Sequence, residues 1–196
     1  MDSRSTKPSR DIIVIGGSHG SLDALRDMLL SLPINFPAAI LIVLHTGPSS
    51  PMMMAAILSR YTAMPLAYAI EGEPVRQGRI YLAPPDKHLE VRAPGTVHLS
   101  NGRKVNFARP AVDRLFETAA STFGTRVIGL VLSGGDSDGA DGSRAIAKAG
   151  GITFVQDPDE AMIPSMALET IQIDHPVARL KSDVLGEVLR RIVCGK

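Results

Sequence analysis

The run Asp11-Ile12-Ile13-Val14-Ile15 breaks directly into Gly16-Gly17-Ser18-His19-Gly20, and a stretch with Leu22, Leu25, Leu29 and Leu32 at helical spacing follows. A buried strand that turns through glycines into a helix opens an α/β sheet, and such sheets bind ligands at the carboxyl ends of their strands. The pentapeptide fits Gly-x-Ser-x-Gly, in which a serine hydroxyl stands exposed on a tight turn. N–H groups at the helix start can then face a developing oxyanion. Turns of this kind also bind phosphate or merely pack. A dinucleotide fingerprint, however, needs glycine where Ser18 and Ser21 stand, and an acid near the end of the second strand, which runs instead into His45.

Three further apolar runs, residues 39–44, 127–132 and 152–155, read as strands covered on both faces, the mark of a parallel sheet. Helices are expected between them. Ser50-Pro51 supplies a cap and first-turn proline ahead of residues 52–60, and Pro110 precedes Val112, Leu115, Phe116 and Ala119 on one face. Residues 139–149 form a third helix ended by Gly150-Gly151, and Val184, Leu185, Val188, Leu189 and Ile192 mark a last one. Residues 79–83 look like a strand. Residues 88–91 and 96–99 alternate around Ala93-Pro94-Gly95, a hairpin signature. The expected fold is a doubly wound, mostly parallel α/β sheet with helices on both faces and an antiparallel hairpin at one edge. Residues 1–10 read as a disordered polar tail and 11–196 as a single domain, consistent with a chain of 196 residues.

Strand ends are where catalytic partners can converge. Ser18 follows the first run, His45 the second, and the run over residues 127–132 leads into Ser133-Gly134-Gly135-Asp136-Ser137-Asp138-Gly139. A serine needs a base within hydrogen-bond reach and a third group to orient that base. His45 could instead be a core histidine, and Asp136, Ser137 or Asp138 could cap the helix that starts near Gly139. Asp136, Asp138 and Asp141 lack the spacing of a calcium loop. His19, His88, His98 and His175 read as surface or hairpin residues.

These motifs resemble the catalytic domain of the CheB-type protein-glutamate methylesterases of bacterial chemotaxis, over nearly everything from Ile12 to about Val193. The nucleophile's setting matches Ser18, the Leu-His context of the base matches Leu44-His45, and the acid motif matches residues 132–139, in which the aspartate before glycine is Asp138. Residues 81–88 (Tyr-Leu-Ala-Pro-Pro-Asp-Lys-His) and 109–116 (Arg-Pro-Ala-Val-Asp-Arg-Leu-Phe) also look familial. The resemblance implies demethylation of glutamate γ-methyl esters on a chemoreceptor-like signalling protein, with glutamine deamidation alongside and a cognate methyltransferase system as partner. It implies backbone oxyanion donors near His19 and in Gly134–Gly135. Met162, Pro164, Ser165 and Met166 are expected along the far wall of the cleft, and Arg109 against acidic substrate surface. No metal or organic cofactor is expected. The chain departs from the family pattern at His19, where a small or hydroxyl residue is common, at Gly135, which replaces a methionine, and at Ser21, which replaces a glycine. The receiver domain of chemotaxis members has no counterpart here, so a stand-alone domain that needs no phosphoryl donor is expected.

Composition bounds the rest. A formal net charge of +1 argues against phosphate-mediated nucleic-acid binding, and the absence of tryptophan against a base-stacking surface. The single cysteine, Cys194, excludes a disulfide framework. No apolar run approaches a membrane span, so no membrane insertion is expected and a reducing cytoplasm is the natural compartment. Two other readings stay open. One is an α/β-hydrolase order of Ser18, Asp157 or Asp138, and His175. The other is a catalytically weakened domain that serves as a binding module in signalling.

Overall fold

In the computed structural model, which describes residues 10–195, five strands form where their apolar runs require, and two short ones close the edges of the sheet. The strands are β1 (Ile12–Gly17), β2 (Ala39–Leu44), β3 (Leu66–Tyr68), β4 (Arg79–Leu82), β5 (His88–Arg92), β6 (Thr96–Ser100), β7 (Val127–Val131), β8 (Ile152–Gln156) and β9 (Ala178–Leu180). The helices are α1 (Leu22–Ser31), α2 (Met54–Leu58), α3 (Val112–Phe123), α4 (Ala140–Lys148), α5 (Ser165–Asp174) and α6 (Ser182–Cys194). Seven strands form a wholly parallel sheet in the order β3-β4-β2-β1-β7-β8-β9. The hairpin β5-β6 forms as expected from its alternation, but as a sheet of its own. It lies on α3, where Val91 N–H donates to Thr118 Oγ1 and Thr122 Oγ1 donates to the Val91 carbonyl.

Successive strand residues point to opposite faces, and β1 divides its side chains accordingly. Ile13 and Ile15 meet Leu25, Met28 and Leu29 of α1 and Leu185 and Leu189 of α6. Ile12 and Val14 meet Leu115 and Phe116 of α3 on the other face. All of these but Ile12 and Leu189 have no measurable exposure, and each such side chain contributes roughly 2 kcal/mol relative to an exposed one. The chain leaves β1 on the α1 face for β2 and returns by α3 on the opposite face to β7. The carboxyl end of β1 is therefore the topological switch point, where a crevice opens.

Four elements differ from the sequence reading. α2 starts at Met54 rather than 52, where its first N–H donates to Tyr68 Oη, and a 3₁₀ turn over Ser59–Tyr61 ends it. The edge strands β3 and β9 are three residues each, too short for any periodicity to show. α5 fills a stretch that sequence left without an element. The expected tail lies outside the described residues except for Arg10, whose guanidinium donates to the carbonyls of Thr125 and Gly150. Among the described residues no helix is long and apolar enough to cross a membrane.

Candidate active site

β1 and β2 run in register, Gly17 beside Leu44, so the residue after each strand lands at the same level. Those residues are Ser18 and His45, and the His45 N–H donates to the Gly17 carbonyl. On the other side Ser18 N–H donates to the Ser133 carbonyl, which ties the nucleophile turn to the end of β7. The turn is tight because Ser21 donates to the Ser18 carbonyl from both its N–H and its hydroxyl. Gly20 sits at φ +82°, and a Cβ there would strike Met162. Ser18 and His45 together line a cleft of about 510 Å³ bordered by Leu22, Met54 and Met162.

Asp138 is entirely buried and fully bonded. Its Oδ2 accepts from His45 Nε2 at 2.7 Å and from Val112 N–H at 2.7 Å, and its Oδ1 accepts from Asp113 N–H at 2.9 Å. Val112 and Asp113 open α3, so this carboxylate lies on the positive end of a helix with free N–H groups. Gly16 makes the approach feasible, since a Cβ at that position would stand 2.2 Å from a methyl of Val112. The alternative in which residues 136–138 cap α4 is inverted: Asp138 caps α3 instead. α4 is capped from α3, because Asp113 Oδ1 accepts from the N–H groups of Gly139 and Gly142. Asn106 Nδ2 donates to Asp113 and, at 3.4 Å, reaches Asp138. Burial, with the charge of Asp138 next to it, pushes Asp113 up to about 7 against the pull of those N–H groups.

His45 meets a second acid. Its Nδ1 lies 3.1 Å from Asp136 Oδ2. Burial disfavours a charged ring, but the bonds and charges of Asp136 and Asp138 outweigh it and raise His45 to about 9. Asp136 is itself held below its ordinary value, because its bond to His45 overcomes its own partial burial. No hydrogen bond joins Ser18 Oγ to His45 among the described residues.

Several expected site residues stand elsewhere. Gly134 cannot offer its N–H to an oxyanion, because that group donates to the Ile163 carbonyl at 2.9 Å. The N–H groups of His19 and Gly135 have no acceptor among the described residues, and both residues are exposed. Met166 does not line the cleft. α5 begins at Ser165, and Met166 turns inward beneath Gly134 with no exposure. Met162, in the turn before α5, does border the cleft and is 66% exposed. Arg109 is engaged internally rather than held out to a substrate, bonded to Asp86 and to the carbonyls of Asn101 and Gly102. His88 is a hairpin residue, the first of β5, and is buried rather than at the surface: its Nε2 lies on the Arg103 carbonyl, its Nδ1 accepts from Ala111 N–H, and burial lowers its affinity for a proton. Asp113, Asn106 and His88 hold the wall opposite Ser18 in position. Apart from the Asn106–Asp113 pair, their partners lie 15 or more residues away in sequence, and no spacing announces them.

The α/β-hydrolase order fails on position. His175 ends α5 beside the start of β9, at the amino edge of the sheet, away from Ser18. Among the described residues no group of three or more His, Cys, Asp or Glu side chains could hold a metal ion.

The family model for the CheB methylesterase matches residues 13–189. The chain belongs to the CheB methylesterase family. A relative from Leptospira interrogans is 38% identical over 168 residues, 84% of this chain and 87% of its own length. The protein-glutamate methylesterase/protein-glutamine glutaminase 2 of Methanosarcina acetivorans is 35% identical over 191 residues, which span 94% of this chain but 54% of that protein. The crystal structure of the Thermotoga maritima CheB methylesterase catalytic domain superposes with a TM-score of 0.90 at 31% identity, covering 94% of this chain and all of that one.

Proposed function

We propose that this CheB-family hydrolase removes the methyl group from glutamate γ-methyl esters on a chemoreceptor-like signalling protein, and deamidates glutamine at such sites, with Ser18, His45 and Asp138 as its triad. The observation that carries the reading is the pairing of Ser18 and His45 at adjacent strand ends with a buried, fully bonded Asp138 on His45 Nε2. In this arrangement the neutral ring keeps its proton on Nε2, donated to Asp138, and offers the Nδ1 lone pair to Ser18. Ser18 Oγ attacks the ester carbonyl carbon as its proton passes to Nδ1. The N–H groups of His19 and Gly135, which have no acceptor of their own among the described residues, suit the oxyanion. The imidazolium returns the proton from Nδ1 to the methoxy oxygen, or to the amide nitrogen of glutamine, and methanol or ammonia leaves. Water then repeats the cycle on the acyl-serine and releases the glutamate carboxylate.

The apolar border of the cleft supports a protein substrate. Leu22 and Met162 are exposed there, and Met53 lines an adjoining pocket that shares Leu44, Thr46 and Met54 with it. Flexible thioethers accommodate a helical surface without demanding one shape. The test is methanol release from a methylated receptor fragment by wild type, Ser18→Ala and His45→Ala. Loss of release in both variants is expected. Wild-type rates in either would end the triad.

A further inference from the structure

Asp136 has no part in the mechanism above, yet it occupies the nitrogen that the mechanism needs. Its Oδ2 lies 3.1 Å from His45 Nδ1 while Asp138 Oδ2 lies 2.7 Å from Nε2. A carboxylate at ion-pair distance from Nδ1, with a second one hydrogen-bonded to Nε2, favours a proton on each ring nitrogen. Such an imidazolium has no lone pair for a serine proton. We propose that Asp136 is a positioning residue that holds the base in a locked, doubly protonated state, and that it must leave Nδ1 before Ser18 is activated. The proposal rests on the assignment of Ser18, His45 and Asp138 made above.

The two acids differ in how they are held, and that decides which one moves. Asp138 is wholly buried, with two N–H groups of α3 on its oxygens. The Asp136 side chain is 38% exposed and is tied within its own loop only by Asp138 N–H on Oδ1. Rotation of Asp136 toward solvent therefore gives up its contact with His45 and at most one loop hydrogen bond, and it keeps the Asp138 cradle intact. The charged and titratable groups around His45 come from several elements, with His19 of the nucleophile turn and Asp23 of α1 lining the same cleft. Asp136 and Asp138 come from the loop before α4, and Asp113 from the start of α3 behind Asp138. Lys104 and Arg109 come from the loop across the cleft, where Arg109 is paired with Asp86. Lys104 is the cation across the cleft whose ammonium no acid engages among the described residues, and it offers a displaced Asp136 carboxylate a destination. Departure of Asp136 also removes a negative charge adjoining Gly135, whose N–H would bind the oxyanion. Both effects favour the reactive state over the locked one.

The alkaline titration of His45 is the consequence. While Asp136 stays, the base is free only as pH rises toward that range, so reactivity at neutral pH is limited by how often Asp136 leaves. The experiment follows covalent labelling of Ser18 by a fluorophosphonate, which needs no protein substrate, from pH 5 to 10 in wild type, Asp136→Asn and Asp136→Ala. The His45 ring is titrated in parallel by NMR. Asp136→Asn keeps an acceptor for Asp138 N–H, so it guards against a loop that fails to fold. The expected result is a labelling profile in wild type that rises into alkaline pH, shifted down by at least about one unit in both variants, with a matching shift of the His45 titration. One unit corresponds to about a tenfold gain in labelling on the acid limb. Identical profiles and identical His45 titrations in the three proteins would overturn the lock and leave the triad standing. Ser18 that takes up no probe at any pH in any of the three would overturn both. Labelling lost in Asp136→Asn alone would make Asp136 the orienting acid and overturn the lock.

Discussion

A buried aspartate stands beside each end of β1, Asp11 just before it and Asp138 in the loop between β7 and α4, and the two are solvated in different ways. At the amino end Asp11 meets Arg126, with Nε at 2.7 Å from Oδ1 and Nη2 at 2.9 Å from Oδ2, and Gln77 Nε2 at 2.6 Å completes the set. At the carboxyl end Asp138 meets two backbone N–H groups and an imidazole. Asp11 is balanced by a guanidinium that is always charged, so nothing at that end changes with chemistry. The partners of Asp138 are neutral dipoles plus one ring that gains and loses a proton. Its charge is fully matched only when His45 is an imidazolium, which is the state that forms as Ser18 attacks. A fixed cation makes a fastening, and a titratable one makes a catalytic site.

The largest effect that would break this contrast is on the ring partner. Asp138→Asn should leave the fold in place, because its side-chain oxygen can still accept from the start of α3. It should nonetheless cost up to about four orders of magnitude in methanol release, since an amide nitrogen facing Nε2 favours the wrong tautomer. The same substitution at Asp136 is expected to raise the rate at neutral pH. Opposite signs at two acids two residues apart separate orientation of the base from its lock. A loss of the same size at both would merge the two roles.

Next comes Asp113, which caps α4 from α3 while α3 cradles Asp138. Asp113→Ala orphans the N–H groups of Gly139 and Gly142 and should cost about 2 kcal/mol or more in urea unfolding, with turnover falling at least about tenfold. Its pH signature is distinctive. Its folded value, about 7, lies above the ordinary carboxylate value near 4. The native state therefore binds the proton more tightly between those values, and stability contributed by the neutral form is lost as pH rises from about 4 to 7. Asp113→Asn should flatten that decline when unfolding free energies are compared across the window. An unchanged slope would remove Asp113 from the argument.

How much of this was legible depends on whether a residue's partner is local. β1, β2, β7 and β8 showed themselves because both their faces are covered, which leaves uninterrupted apolar runs. Ser18 and His45 follow from those strands by position alone. The choice of Asp138 over Asp136 needed the family pattern, since both lie in one loop and both reach the ring. Asp113, Asn106 and His88 stayed hidden because each acts on a group brought near only by packing of α3 against α4 and the hairpin. Met166 and Gly134 were misplaced for the related reason that sequence does not say which way a loop residue faces. Whether Met166 points at solvent or beneath Gly134 is settled by α5, a helix whose weak amphipathic pattern sequence did not resolve.

Gly16→Ala tests the contrast at smaller scale, from inside the strand. A Cβ there meets both methyls of Val112, at 2.2 and 2.7 Å, so α3 must back away from β1. Overpacking of this kind costs about 1–3 kcal/mol. The displaced residue is the one whose N–H holds Asp138. Thermal unfolding and Ser18 labelling should therefore fall together. A variant that loses stability yet keeps its labelling rate would show that the cradle tolerates a shift of α3.

The smallest effect on activity belongs to the amino end. Arg126→Met should destabilise the protein by about 2 kcal/mol, the scale of charge-assisted hydrogen bonds lost from a buried carboxylate, and leave methanol release per folded molecule unchanged. The whole length of β1 separates Asp11 from Ser18, and the packed β1 core between them gives the charge no route to the cleft. Burial alone would raise the affinity of Asp11 for a proton, but its bonds to Arg126 and Gln77 and the charge of Arg126 together hold it below its ordinary value. The sign follows from that direction. The stabilisation is fully present above the ordinary carboxylate value near 4 and drains away as pH falls through the lower folded value. Wild type should therefore lose stability steeply on acidification below about pH 4, and Arg126→Met should lose less over the same range. Unfolding measured from pH 2 to 5 in both proteins checks this. Equal acid slopes, or a turnover number that falls in Arg126→Met, would mean that the amino end is more than a fastening.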